Sequence, residues 1–75
     1  MSQTAYVLIS CYMGQEHDVL VQLKSIPQIK TAIITYGEYD VVAKIQAESA
    51  TELANISSQI RHIQKIRSTI TLHVT

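Results

Sequence analysis

The stretch Ile34-Thr35-Tyr36-Gly37-Glu38-Tyr39-Asp40-Val41-Val42-Ala43 constrains the fold more than any other part of the chain. Apolar and β-branched residues flank a short polar turn, the pattern of a hairpin. Gly37 can take a positive φ at little steric cost, which a tight strand-to-strand connection often requires. The flanking strands extend on pattern to about residues 29 and 47, with the turn at Tyr36-Gly37-Glu38.

The segments on either side mirror one another. Residues 4–12 read as a strand, with Tyr6, Leu8, Ser10 and Tyr12 on one face and Val7, Ile9 and Cys11 on the other. Both faces are largely apolar, so the strand should be covered on both sides. Residues 14–25 read as a helix with Val19, Leu20 and Leu23 on its apolar stripe, ended by Ile26-Pro27. In the strand after the hairpin, Val41, Ala43, Ile45 and Ala47 share a face, opposite Val42, Lys44 and Gln46.

Ser49-Ala50-Thr51-Glu52 is a capping-box pattern. It opens a helix that presents Leu53, Ile56, Ile60 and Ile63 and reaches about residue 62. The closing strand spans about 66–74. Alternation puts Ile66, Ser68, Ile70, Leu72 and Val74 on one face and Arg67, Thr69, Thr71, His73 and Thr75 on the other. The order β-α-β-β-α-β predicts an α+β, ferredoxin-like fold with a four-stranded antiparallel sheet, one domain over residues 1–75.

Seventy-five residues make a thin core, burying roughly 60–65% of the surface the unfolded chain exposes. Cys11 is the only cysteine, which excludes an internal disulfide, and His17, His62 and His73 are scattered away from zinc-ligand spacing. With 47% hydrophobic and only 16% charged residues, the composition predicts an oligomer. A formal net charge of zero offers no field to attract nucleic acid or an anionic membrane. The start lacks a signal-peptide pattern and the first apolar run is too short for a bilayer, so a cytoplasmic, reducing setting is expected.

No phosphate-binding glycine motif, catalytic triad or metal set stands in the chain. Cys11 reads as a small buried hydrophobe. Glu38 and Asp40 flank Tyr39 and share a face by strand period, which a hairpin position explains without catalysis. No cofactor is expected, and the residues by themselves point to a small oligomeric α+β domain. The threonine-rich last strand is either a place for a polar ligand or simply β-propensity at a half-exposed surface.

The hairpin, with its Gly-x-Tyr-Asp-hydrophobic wording from Gly37 to Val41, resembles that of the effector domain of Lrp/AsnC (feast/famine) regulators. Ile66-Arg67-Ser68-Thr69-Ile70-Thr71 is similar to the closing strand of the same family, and the resemblance runs over essentially the whole chain. It implies dimers through sheet-to-sheet packing that assemble further into tetramers or octamers. It also implies an amino acid or related small metabolite held between dimers. Carried over by position, the ligand-binding candidates are Tyr36, Gly37, Tyr39 and Asp40 with Ser68, Thr69 and Thr71. Asp40 can instead brace the hairpin by accepting backbone hydrogen bonds, and both roles stay open.

The chain starts at the first strand, where full-length members carry a helix-turn-helix. The resemblance therefore implies a stand-alone module that binds no DNA directly and acts on full-length regulators of the family. Gln64-Lys65 replaces the glycine usual before the last strand. Two other readings are a ligand-free oligomerisation module and a small cofactor-independent enzyme, for which Tyr6, Tyr12 and His73 are the candidate groups.

Overall fold

The computed structural model describes residues 2–74. Six elements follow in the expected order: β1 (Gln3–Cys11), α1 (Glu16–Lys24), β2 (Ile29–Ile34), β3 (Val41–Ala47), α2 (Ala50–Arg61) and β4 (Ile66–His73). The strands form one sheet in the order β2-β3-β1-β4, every neighbouring pair antiparallel. This is the ferredoxin-like split-βαβ topology. Thr75, which the sequence assigned to the threonine row, lies outside the described residues.

Alternation decides which side the helices cover. Ala5, Val7, Ile9 and Cys11 of β1 and Val41, Ala43, Ile45 and Ala47 of β3 are all buried on one face. Their register sets Ala5 against Ile45 and Val7 against Ala43, a small residue beside a larger one. Val19 and Leu23 of α1 and Leu53, Ile56 and Ile60 of α2 complete this single core. The helices enclose β1 on one face only, which leaves the other face as the one the sequence reading assigns to a second subunit's sheet.

Local signals explain the helix ends. Ser49 Oγ accepts a hydrogen bond from the Glu52 N–H at 3.1 Å, and the Glu52 carboxylate accepts from the Glu48 N–H at 3.0 Å. The box therefore closes one residue earlier than its usual reciprocal form, satisfying one amide in the first turn of α2 and one just ahead of it. At the other helix, Gly14 has φ +81° and sits in a turn, where the Gln15 N–H bonds the Tyr12 carbonyl at 3.1 Å. For that reason α1 starts at Glu16 rather than at residue 14.

The opposite sheet face has no helix. Tyr6, Ile33, Ile70, Leu72 and Val74 are all exposed, between 39% and 52%. Lys44 also projects from this face, level with Tyr6 on β1 and Thr31 on β2.

Two departures from the sequence reading affect the functional end of the molecule. The hairpin is wider than predicted, with β2 ending at Ile34, β3 starting at Val41 and a six-residue loop between. The other is a bulge in β4. Ser10 pairs with Ser68 and Cys11 with Ile66, leaving Arg67 without a partner. A bulge inverts the alternation on one side of itself. Ile66 thus packs against the core instead of sharing the face of Ile70 and Leu72, while Thr69 and Thr71, level with Ile9 and Val7, lie on the helix side.

Candidate functional site

The hairpin loop is built from backbone hydrogen bonds. The Thr35 N–H donates to the Asp40 carbonyl at 2.8 Å, and the Thr35 hydroxyl donates to the Tyr39 carbonyl at 2.8 Å. Gly37 turns the chain with φ +124°, a region that L side chains rarely adopt, and an added Cβ would meet nothing within 4 Å. Gly37→Ala is therefore expected to lose about 1–2 kcal/mol of stability from backbone strain alone, without steric clash. Urea unfolding would read this as a lower midpoint at constant m-value.

The loop is then stitched to β1. The Asp40 N–H donates to the Ile9 carbonyl at 2.8 Å, and Asp40 Oδ2 accepts from the Cys11 N–H at 2.9 Å. The Ser10 hydroxyl donates to the Glu38 carbonyl at 3.1 Å. Asp40 thus does brace the hairpin, against an amide 29 residues away in sequence. The Cys11 thiol is pushed above its ordinary value, first by burial and then by the charges of Asp40 and Glu16 and a hydrogen bond to Asp40. It stays protonated at neutral pH, a packing group rather than a nucleophile.

Two adjoining depressions flank Asp40. One, of about 300 Å³, is lined by Gly37, Glu38 and Asp40 of the hairpin loop and Ser10 of β1, together with Met13, Glu16 and Arg67. The other, of about 290 Å³, lies between Asp40, Thr35 and Tyr36 of the loop and Glu16 and His17 at the start of α1. Both volumes stand at the lower end of small-molecule sites. Met13 and Tyr36 are almost entirely exposed at this end of the molecule. Carboxylates and a guanidinium bordering one depression can hold an amine and an acid group at once.

The sequence candidates divide. Tyr36, Gly37 and Asp40 line these depressions, and Tyr39 belongs to the same loop through its carbonyl. The closing-strand hydroxyls do not form one polar row there. Ser68 lies opposite Ser10 on the open face, whereas Thr69 is on the helix side. Thr71 and His73 line a separate groove of about 250 Å³ against Ala50, Ala54 and Ser57 of α2. Missed by the sequence reading were Ser10, Glu16 and Arg67, which the loops and the bulge gather from remote positions. The groups named for an enzyme do not converge either: Tyr6 lines a groove on the open face, Tyr12 lies 5.9 Å beneath the Arg67 guanidinium, and His73 is in the α2 groove. Among the described residues no group of three or more His, Cys, Asp or Glu is placed to hold a metal ion, and no helix is long and apolar enough to cross a membrane.

A split-βαβ sheet with two helices on one face places the chain in the α+β, ferredoxin-like class. The family model of the Lrp/AsnC ligand binding domain matches residues 4–75, and the chain belongs to that family. It is 31% identical over 70 residues to the HTH-type transcriptional regulator FL11 of Pyrococcus furiosus, covering 93% of this chain and 46% of the relative. The chain thus spans about half the length of the curated relatives it matches. Among solved structures, FFRP-DM1 superposes with a TM-score of 0.92 at 31% identity, over 97% of this chain and 99% of the other. AsnC of E. coli gives a TM-score of 0.87 at 26% identity, over 96% of this chain and 50% of the other.

Proposed function

We propose that this chain is an effector-sensing and oligomerisation module. It binds an amino acid or a related small metabolite at the hairpin end, in clefts between dimers, and modulates Lrp/AsnC-type transcription regulators by joining their assemblies. The observation that carries this reading is the cleft around Asp40, where carboxylates and a guanidinium border one small cavity. A zwitterion needs both signs of charge within a few ångströms. The depression along the β2 edge, although larger at about 400 Å³, is lined by Lys24 and Lys30 and carries no carboxylate.

The dimer in this proposal forms through the open sheet face, whose apolar residues the chain's own helices leave uncovered. Ligand bound at a junction between such dimers stabilises whichever assembly contains that junction, by linkage. No reading of DNA by this segment is required for that effect.

A thermal-shift screen against the amino acids at millimolar concentration tests the proposal. An effector at a hundred times its Kd adds about 2.7 kcal/mol, which for a domain of this size raises Tm by roughly 10–20 °C. A selective rise with one or a few amino acids is expected. A flat response across the panel would leave a ligand-free assembly module as the better description.

A further inference from the structure

We infer that Arg67 is the specificity-determining residue of the proposed effector site, the group that receives the ligand's carboxylate; the inference rests on the sensing function proposed above. The depression beside Asp40 is bordered by three acidic side chains, Glu16, Glu38 and Asp40, and by one cation, Arg67. An amino acid entering it brings one ammonium and one carboxylate. The ammonium has three acidic side chains to choose from, while the carboxylate has a single cationic partner. Backbone donors near the loop are in part already committed, since the N–H groups of Thr35, Asp40, Cys11 and Gly14 are all bonded within the chain.

The position of Arg67 is the product of an irregularity in the sheet. It is the unpaired residue at the β4 bulge, between Ile66 opposite Cys11 and Ser68 opposite Ser10. In a regular strand, a residue next to Ser68 would project squarely from the helix side of the sheet. The bulge releases Arg67 from that alternation, and its side chain borders the cleft at the sheet's end. Its guanidinium lies over the ring of Tyr12 at 5.9 Å from the centroid. A cation–π contact of this kind consumes none of the guanidinium's N–H donors.

Arg67 also forms no ion pair with the acids around it. The one salt bridge among the described residues joins Lys65 to Asp18. A guanidinium bordering the same cavity as three acidic side chains, yet paired with none, retains its bidentate face for an incoming carboxylate.

The test compares free amino acids with their α-carboxamides, which keep the ammonium and side chain but remove the acid charge. Thermal-shift titrations of the unaltered protein are expected to show a Tm rise with one or more free amino acids and little with the matching amides. Arg67→Gln should weaken the active amino acid about ten- to a hundredfold, the range for losing a charge-assisted hydrogen bond. It should also abolish the preference for acid over amide, while Arg67→Lys restores part of both. An Arg67→Gln protein that binds the free acid as tightly as the unaltered protein, with the same preference, overturns the assignment and leaves sensing intact. A flat response of the unaltered protein to every free amino acid overturns the sensing proposal, and the role of Arg67 falls with it.

Discussion

Leu72→Asp is expected to behave as a monomer of about 8.4 kDa in size-exclusion chromatography with light scattering, at concentrations where the unaltered chain is a dimer. Leu72 is half exposed on the helix-free face, level with Tyr6 across the β1–β4 ladder and close to Ile70 and Val74. If a second copy packs on this face, the introduced carboxylate must be buried without a partner or be protonated. Protonation at pH 7, from an ordinary aspartate pKa near 3.9, costs about 4 kcal/mol. A two-fold interface contains the substitution twice, for about 8 kcal/mol, which weakens association by roughly six orders of magnitude. The sign of the pH dependence follows, since association of the variant recovers as the pH falls towards 4 and the carboxylate is neutralised. A Leu72→Asp protein that remains a dimer at pH 7 would exclude this face as the interface. The same substitution should barely lower the monomer's own stability, because Leu72 contributes nothing to the helix-side core.

Asp40→Ala has the second largest expected effect, and it acts on the fold before it acts on any ligand. The carboxylate accepts the Cys11 N–H at 2.9 Å in a partly buried setting. Leaving such a donor unsatisfied, after losing a bond to a charged group, costs about 1.5–3 kcal/mol. In a domain of this size that lowers Tm by roughly 6–24 °C. Asp40→Asn keeps an acceptor oxygen for Cys11 while removing the charge, so it should recover much of the stability. Comparing the pair separates bracing from binding. If Asp40→Asn unfolds near the unaltered protein's temperature yet loses the response to free amino acids, the carboxylate serves both roles. If Asp40→Ala is as stable as the unaltered protein, the brace carries no weight.

The parts of this architecture that local chemistry controls were legible in the sequence. Strict alternation from Val41 to Ala47 identified the buried face of β3, and Ser49 with Glu52 marked the start of α2. Pro27 marked the end of α1, whose last amides turn back onto Gln22 and Leu23. The β4 bulge was not legible. Ile66, Ile70 and Leu72 fit an uninterrupted alternation equally well, and a one-residue slip changes the face of the side chains on one side of it. The bulge reverses Ile66 alone; Thr69 and Thr71 keep the face opposite Ile70 and Leu72, and it is that face which the helices cover. The site itself depended on still longer connections. Nothing near Cys11 in the sequence signals a bond to Asp40, and nothing near Arg67 brings it to the same depression as Glu38. Those contacts exist only once β1 lies between the strands that carry the two loops.

The one-sided helix cover has a consequence for how such a chain would be observed to melt. With one apolar face left over after folding, any self-association through it would make unfolding a bimolecular equilibrium, in which native structure is lost together with contacts to a neighbour. The midpoint of thermal denaturation would then climb with the logarithm of protein concentration, as it does for strands of a duplex. Dilution alone could act as a denaturant. A protein of this design would report its own abundance through its own persistence.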